Sequence, residues 1–198
     1  GCFVLFTAVK YTYPKRFDEF LMLPLNNKYF LVQGKNDELK HPFNLLLFIA
    51  QIISVSLLIF LLLDFKSPEL KSTNPWLYVQ ICSAYTFFIL VKFSVEKIVG
   101  SVFSIDAIVN SYLYQKLSYR NLLGIVVFIG NLIFFYVIEP STTCILIFLG
   151  FLLICNCFAL FNSYKSFGKK ILGNFFYFIL YLCTLEIAPY LILYKTLQ

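Results

Sequence analysis

The chain has 198 residues, of which 60% are hydrophobic, 20% aromatic and 13% charged, and its formal net charge is +6. Its mean hydropathy is +0.82. A soluble domain carries roughly 25% charged and 45–50% apolar residues, so this composition excludes a water-soluble fold. The apolar residues fall in runs of about 20, which is the length that a helix needs to cross about 30 Å of hydrocarbon. We therefore predict an all-α, polytopic membrane helix bundle of about six transmembrane helices plus interfacial amphipathic helices, in a single membrane domain over residues 1–198.

The first predicted span covers residues 1–9, which are apolar but too few to cross a bilayer. We expect this stretch to be the end of a longer, truncated helix. A signal peptide is a rival interpretation, but Lys10 and the basic residues after it follow the apolar stretch, whereas a signal peptide has its basic residues first. A third interpretation is the end of a lipoprotein signal, in which Cys2 would be acylated, although an apolar start is unusual for a mature lipoprotein.

The rest of the chain supplies surface segments and five further spans. Residues 14–40 mix basic and aromatic side chains and are predicted to lie at the headgroup level. Residues 104–117 are interrupted by polar side chains, but their apolar residues recur at helical spacing, which predicts a second interfacial helix. The remaining spans are predicted at 43–63, 76–99, 120–138, 142–162 and 174–194.

The distribution of Lys and Arg predicts the orientation, because short cytoplasmic loops are enriched in these residues. Thirteen basic residues belong to the connections after spans one, three and five, and three belong to the other side. This bias puts both termini outside the cell membrane. The thirteen are Lys10, Lys15, Arg16, Lys28, Lys35, Lys40, Lys92, Lys97, Lys116, Arg120, Lys165, Lys169 and Lys170, against Lys66, Lys71 and Lys195. The positive charge is then explained by topology and by membrane lipids as partners, without nucleic acid.

Cysteine and histidine do not indicate a metal or redox site. The six cysteines lie inside or beside apolar runs, which is not the spacing of a secreted disulfide framework. The chain has one histidine, His41, so a metal site would have too few ligands at any plausible spacing. We therefore expect no metal and no cofactor.

Polar residues inside the predicted spans are candidate functional residues, because burying them in lipid is costly. In the third span, Tyr78, Cys82, Tyr85, Lys92 and Glu96 recur at spacings of three, four or seven, so they share one helix face. We expect that face to contact protein. Lys92 either extends to the headgroups or has a buried role, and Glu96 is its neighbour on the face.

Glu186 is the candidate nearest to the middle of the bilayer, since it lies close to the centre of the last predicted span. Its carboxyl group should be either neutral or paired with a cation. Polar residues near the middle of the other spans are the expected partners, and these are Gln51, Ser54, Tyr85 and Asn131. A hydrogen bond that holds helices together is the favoured role, and a role in proton or ion movement is the alternative.

The end of the chain carries a motif. Residues 180–189 read LYLCTLEIAP, and Leu193-Tyr194-Lys195 follow. This sequence resembles the signature end of a family of multi-pass inner-membrane proteins of unknown function from Bacteroidota, domain of unknown function 4271. The resemblance implies a bacterial inner-membrane location and no assigned activity, and it makes Tyr181, Cys183, Glu186 and Pro189 motif positions. The stretch from Asn121 to Gly124 also lies where similar proteins carry comparable residues.

Two classes of function are consistent with the sequence. The favoured one is a non-catalytic subunit or assembly factor of a larger inner-membrane complex of secretory or respiratory type, with other membrane proteins as partners. The alternative is a small transporter or channel with Glu186 and Lys92 in a proton or ion pathway. An enzyme is not expected, because the sequence offers no histidine cluster, no aspartate pair and no nucleophile beside a base.

Overall fold

The computed structural model of the chain describes residues 1–23, 41–66, 75–102, 106–137 and 141–167, with side chains in the last range as far as residue 159. These residues form six helices and no strands. The chain divides into two compact units, Gly1–Phe161 and Asn162–Gln198, and the contacts below belong to the first unit. The helices are α1 (Cys2–Thr12), α2 (Pro14–Leu21), α3 (Pro42–Lys66), α4 (Leu77–Val102), α5 (Asp106–Tyr136) and α6 (Thr142–Phe167).

Four of the described helices, α3 to α6, are long and apolar enough to cross a membrane. The prediction of an all-helical fold is confirmed for the described residues, and these four helices make a helical membrane bundle plausible. The fifth apolar helix, α1, has 11 residues. The predicted span 174–194 and most of the predicted surface segment 14–40 lie outside the described residues.

The helix α5 differs from the sequence prediction in its extent. Residues 104–117 and 120–138 were expected as an interfacial helix and a separate span, whereas one helix runs from Asp106 to Tyr136. The Ser118 hydroxyl donates to the Tyr114 carbonyl oxygen at 2.9 Å within the same helix, so this polar residue is satisfied locally. Polarity alone therefore did not mark a helix boundary.

Local sequence explains two helix starts. Proline is tolerated at the first position of a helix, because the N–H that it lacks has no partner in the helix, and Pro42 opens α3 in this way. The His41 Nδ1 accepts a hydrogen bond from the Phe43 N–H at 3.2 Å. At the start of α6, the Ser141 hydroxyl accepts from the Cys144 N–H at 3.3 Å, which is N-capping by serine.

Contacts along the helices give their directions. α3 and α4 are antiparallel, because Gln51 bonds Tyr85 while Phe60, further along α3, packs on Tyr78, which comes earlier in α4. α3 and α5 are parallel, because the first turns of α3 pack on the first half of α5 and Ser54 then contacts the middle of α5. Two parallel helices need a segment between them that returns the chain to the starting end, and α4 is that segment.

A packed core lies where α1 ends and α3 begins. α2 is amphipathic and buries Phe17 and Phe20, and Phe20 stacks edge-on against Phe43 with ring centroids 5.8 Å apart. The Arg16 guanidinium lies over the Phe43 ring at 5.1 Å from its centroid, a cation–π geometry. The short helix α2 is thereby fixed to the beginning of α3.

Burial separates the four long helices into two classes. In the most apolar window of 18 residues, 44% of residues are buried in α3 and in α5, against 6% in α4 and in α6. α3 and α5 therefore form the centre of the first unit. The exposed large apolar side chains of α4 and α6 include Phe87, Leu90, Phe151, Ile154 and Phe158.

Candidate functional site

Some of the buried polar residues of α3 and α5 lie along the contact between these two parallel helices. We call this group the polar seam, and it consists of Gln51 and Ser54 of α3 with Asn121, Gly124 and Asn131 of α5. The spacings of three and seven put each set on one face of its helix. Gln51, Ser54, Asn121 and Asn131 are each at most 1% exposed. Ser54 lies midway along α3.

Three hydrogen bonds join helices at the polar seam, two within it and one from it to α4. The Gln51 Nε2 donates to the Tyr85 hydroxyl of α4 at 2.8 Å. The Asn131 Nδ2 donates to the Ser54 carbonyl oxygen at 2.8 Å, and the Ser54 hydroxyl donates to the Gly124 carbonyl oxygen at 3.2 Å. The seam therefore links α3 to both α4 and α5.

Gly124 allows the two central helices to approach closely. A Cβ at this position would lie 2.7 Å from the Gln51 Cγ and 3.0 Å from the Gln51 Cα. The second distance involves backbone, which cannot turn away as a flexible side chain can. Glycine at position 124 is therefore required by the packing of α5 on α3, as small residues commonly are at helix contacts in membranes.

Several atoms of the seam have no hydrogen-bond partner within the described ranges. Asn121, which is 1% exposed, has none at Nδ2 or at Oδ1, and Gln51 Oε1 and Asn131 Oδ1 also have none. Most buried polar groups are hydrogen-bonded, and four of the nine buried side-chain atoms without a partner in the described residues belong to this seam.

A second polar contact joins α4 to α5. The Lys116 Nζ lies 2.6 Å from the Glu96 Oε1, and the two side chains are 17% and 4% exposed. The Lys116 Nζ also lies over the Tyr112 ring, 5.3 Å from its centroid. This ion pair is buried enough to fix the end of α4 against the first half of α5.

The candidate face of α4 contacts protein at several points. The Tyr78 hydroxyl donates to the Ile53 carbonyl oxygen at 3.3 Å, Tyr85 accepts from Gln51, and Glu96 pairs with Lys116. Lys92 is half-buried. Sequence reasoning put Glu96 beside Lys92 and did not anticipate Lys116, because a pair 20 residues apart leaves no periodic signal.

The structure brings some of the sequence candidates together and leaves others untested. Gln51, Tyr85 and Asn131 belong to the seam or bond to it, but sequence reasoning chose them as partners for Glu186 and not for one another. Asn121 was noted only as part of a family resemblance, and its spacing from Gly124 and Asn131 is the signal that could have identified it. The motif residues Tyr181, Cys183, Glu186 and Pro189 lie outside the described residues.

The chemistry that these groups offer is hydrogen bonding by neutral amides and hydroxyls. Such groups both donate and accept, and they carry no charge. In the ranges that the structure describes, no group of three His, Cys, Asp or Glu residues could hold a metal ion, and the cysteines there are free thiols.

Comparison with known proteins gives one match. The model of a family described as Domain of unknown function (DUF4271) matches residues 1–197. No curated protein and no solved structure matches the chain.

Proposed function

The chain belongs to the DUF4271 family, a domain family of unknown function, and from this premise we propose that it is a non-catalytic integral membrane subunit or assembly factor of a larger complex. The proposed setting is the inner membrane of a bacterium, with Bacteroidota as the source and a secretory or respiratory complex as the assembly. The chain crosses this membrane several times, and its partners are lipids and other membrane proteins.

The observation that carries this proposal is the use of the buried polar groups in helix association. Gln51 bonds Tyr85 across α3 and α4, Asn131 bonds Ser54 across α5 and α3, and Lys116 pairs with Glu96 across α5 and α4. Interhelical hydrogen bonds of this type stabilise helix packing in membranes. A protein that supports other subunits needs this kind of rigid frame.

The apolar faces of α4 and α6 supply surface for partners. Phe87 is 71% exposed on α4 and Ile154 is 71% exposed on α6, and only 6% of the apolar window is buried in each of these helices, against 44% in α3 and in α5. Helices of other membrane proteins can pack on such faces, as lipid chains can. The proposal commits at least one of these two faces to a protein partner.

The helix directions support a cytoplasmic location for the basic ends. α1 ends where α3 begins, since Tyr13 stacks on His41 with centroids 5.3 Å apart, and the end of α4 meets the first half of α5 through Glu96 and Lys116. Lys and Arg residues cluster at this common end, as cytoplasmic segments do. The proposed topology therefore has this end in the cytoplasm and both termini in the periplasm.

Photo-crosslinking from defined positions tests the proposal. Benzoylphenylalanine replaces Phe87 on α4, or Phe151 or Phe158 on α6, in cells that express the full chain. We expect at least one of the two faces to give a reproducible crosslink to one particular membrane protein, identified by mass spectrometry. The control position is Phe43, which is fully buried and should react only within the chain.

Lipid adducts alone from both faces would contradict the proposal. The transport alternative predicts another result. Purified protein in liposomes would then conduct protons, and the Glu186→Gln and Lys92→Gln variants would lose this proton flux. Flux together with purely lipid adducts would replace the subunit proposal with a transporter.

A further inference from the structure

The polar seam carries an inference beyond a role as a subunit. Asn121 is buried at the middle of α5, and both its amide nitrogen and its amide oxygen have no hydrogen-bond partner among the described residues. Exchanging the two atoms by rotating the amide leaves the same requirement. Whatever satisfies Asn121 must therefore both donate and accept hydrogen bonds.

Gln51 indicates where the hydrogen-bonding partner of Asn121 would lie. The Gln51 side chain packs against Gly124, and Asn121 precedes Gly124 by three residues on the same helix face. Three residues correspond to about 4.5 Å along a helix axis. A bridging molecule with hydrogen bonds of about 2.8 Å on each side joins polar atoms up to about 5.6 Å apart, which is of the order of this axial offset. The unpaired Gln51 Oε1 adds an acceptor at this level.

We propose that the polar seam binds internal water, which bridges the Asn121 amide to the Gln51 Oε1 between the two parallel helices. Water is the smallest molecule that donates and accepts at once. A metal or ammonium cation cannot satisfy the Asn121 Nδ2, since it does not accept, and a fully ionised anion cannot satisfy the amide oxygens, since it does not donate. Buried waters typically make about three hydrogen bonds to polar groups that have no other partner.

The lipid environment makes this water necessary. A helix inside the hydrocarbon cannot obtain hydrogen bonds from its surroundings, so the amides of the seam depend on what lies between the helices. Asn131 extends the same requirement further along α5, because its Oδ1 also has no partner in the described part of the chain while its Nδ2 bonds Ser54.

The first test is nuclear magnetic resonance of the full chain in nanodiscs, with ¹⁵N in the side-chain amides of Asn and Gln. Magnetisation is transferred from water to these amides. We expect a transfer peak from long-lived water at the Asn121 amide and at the Gln51 amide. Each amide is assigned beforehand by the ¹⁵N amide signal that disappears from the ordinary spectrum in Asn121→Leu or in Gln51→Leu. An Asn121 amide that receives magnetisation only from protein or lipid protons would overturn the proposal.

The second test compares unfolding midpoints. With bridging water, Asn121→Leu displaces the water and leaves Gln51 Oε1 without it, so we expect a lower midpoint and loss of the Gln51 water peak. A dry seam predicts the opposite, because Leu then removes an unpaired polar group at similar volume, and an unchanged or higher midpoint would refute the proposal.

Two further variants serve as controls for the Asn121→Leu result. Ser118→Ala, one turn earlier, removes a hydroxyl that is satisfied within its own helix, and it should keep the water peaks of Asn121 and Gln51. Asn121→Ser retains a donor and an acceptor and frees space for more water, so the Gln51 peak should persist. Its disappearance in Asn121→Ser would count against bridging water, and this readout does not require Asn121→Leu to fold.

Discussion

Glu96 and Lys116 form a buried ion pair, and its contribution to the stability of the fold depends on both partners being present. Taking a charge out of water is costly, and removing one partner leaves the other charge uncompensated. Because Lys116 is 17% exposed and Glu96 is 4% exposed, the larger loss should come from the variant that leaves Glu96 without this partner.

Lys116→Met should therefore lower the free energy of unfolding by about 3 kcal/mol, at the lower end of the range for a broken buried pair. Reversible denaturation in mixed micelles measures this change. The double variant Glu96→Met/Lys116→Met removes both charges and should recover most of the loss. If the two single losses simply add in the double variant, the two residues do not interact.

Tyr85 stabilises the contact of α3 with α4 through its hydroxyl, which accepts from Gln51. Tyr85→Phe removes only this oxygen, and we expect it to lower the free energy of unfolding by about 1 kcal/mol, as interhelical hydrogen bonds in membranes do. Tyr11→Phe, at a position that is 90% exposed, makes the same chemical change and should have an effect within about 0.5 kcal/mol. Equal effects of the two variants would show that the Gln51 bond contributes nothing.

Single residues were the least predictable level. Composition and spacing identified Gln51, Tyr85 and Asn131 as buried polar residues near the middle of apolar helices. They did not identify which residues pair, because the bonded residues are 34 and 77 positions apart in the chain. Lys116 looked like the polar edge of a surface helix, since its partner Glu96 becomes a neighbour only when α4 and α5 pack.

At the level of elements, the pair α3 and α5 depends on Gly124. Gly124→Ala puts a Cβ within 3.0 Å of the Gln51 backbone, so the helices must move apart. We expect a loss of about 2 kcal/mol, typical of overpacking, measured by the same denaturation assay.

Two other glycines provide matched controls for this substitution. Nothing lies within 4 Å of a Cβ at Gly150, and Gly150→Ala should leave stability unchanged or raise it by up to about 1 kcal/mol through helix propensity. At Gly130 the obstacle is the far end of the Phe148 side chain, which can move by a change of χ1, so Gly130→Ala should cost less than Gly124→Ala. A Gly124→Ala protein as stable as Gly150→Ala would contradict the close packing described above.

The helices themselves were largely predictable. The ranges 43–63, 76–99 and 142–162 lie within or nearly within Pro42–Lys66, Leu77–Val102 and Thr142–Phe167, because apolar runs of membrane length leave the backbone few alternatives to a helix. The continuity of α5 was not predictable in this way. Hydropathy falls around Lys116 and Arg120, yet the backbone hydrogen bonds of the helix continue through polar residues that find partners on α4 and α3.

At the scale of the molecule, the arrangement of helix ends predicts two labelling faces. In a chain whose own six cysteines are replaced, Lys97→Cys and Lys66→Cys report the basic end and the opposite end. A maleimide that cannot cross membranes should label position 66 in spheroplasts and position 97 only after the membrane is opened. Labelling of both positions from the same side would refute the proposed topology, and a neutral maleimide that crosses membranes controls for reactivity.

The parallel contact of α3 with α5 has a consequence for biogenesis. Ser54 bonds residues that are synthesised 70 and 77 positions later, and at about 5–20 residues per second the ribosome needs roughly 4–15 s to reach them. In the proposed membrane topology, α3 and α4 are therefore synthesised before the α5 residues that Ser54 bonds. We therefore expect substitutions at Gly124 or Asn131 to affect insertion of the nascent chain, while α3 and α4 still lack their α5 contacts.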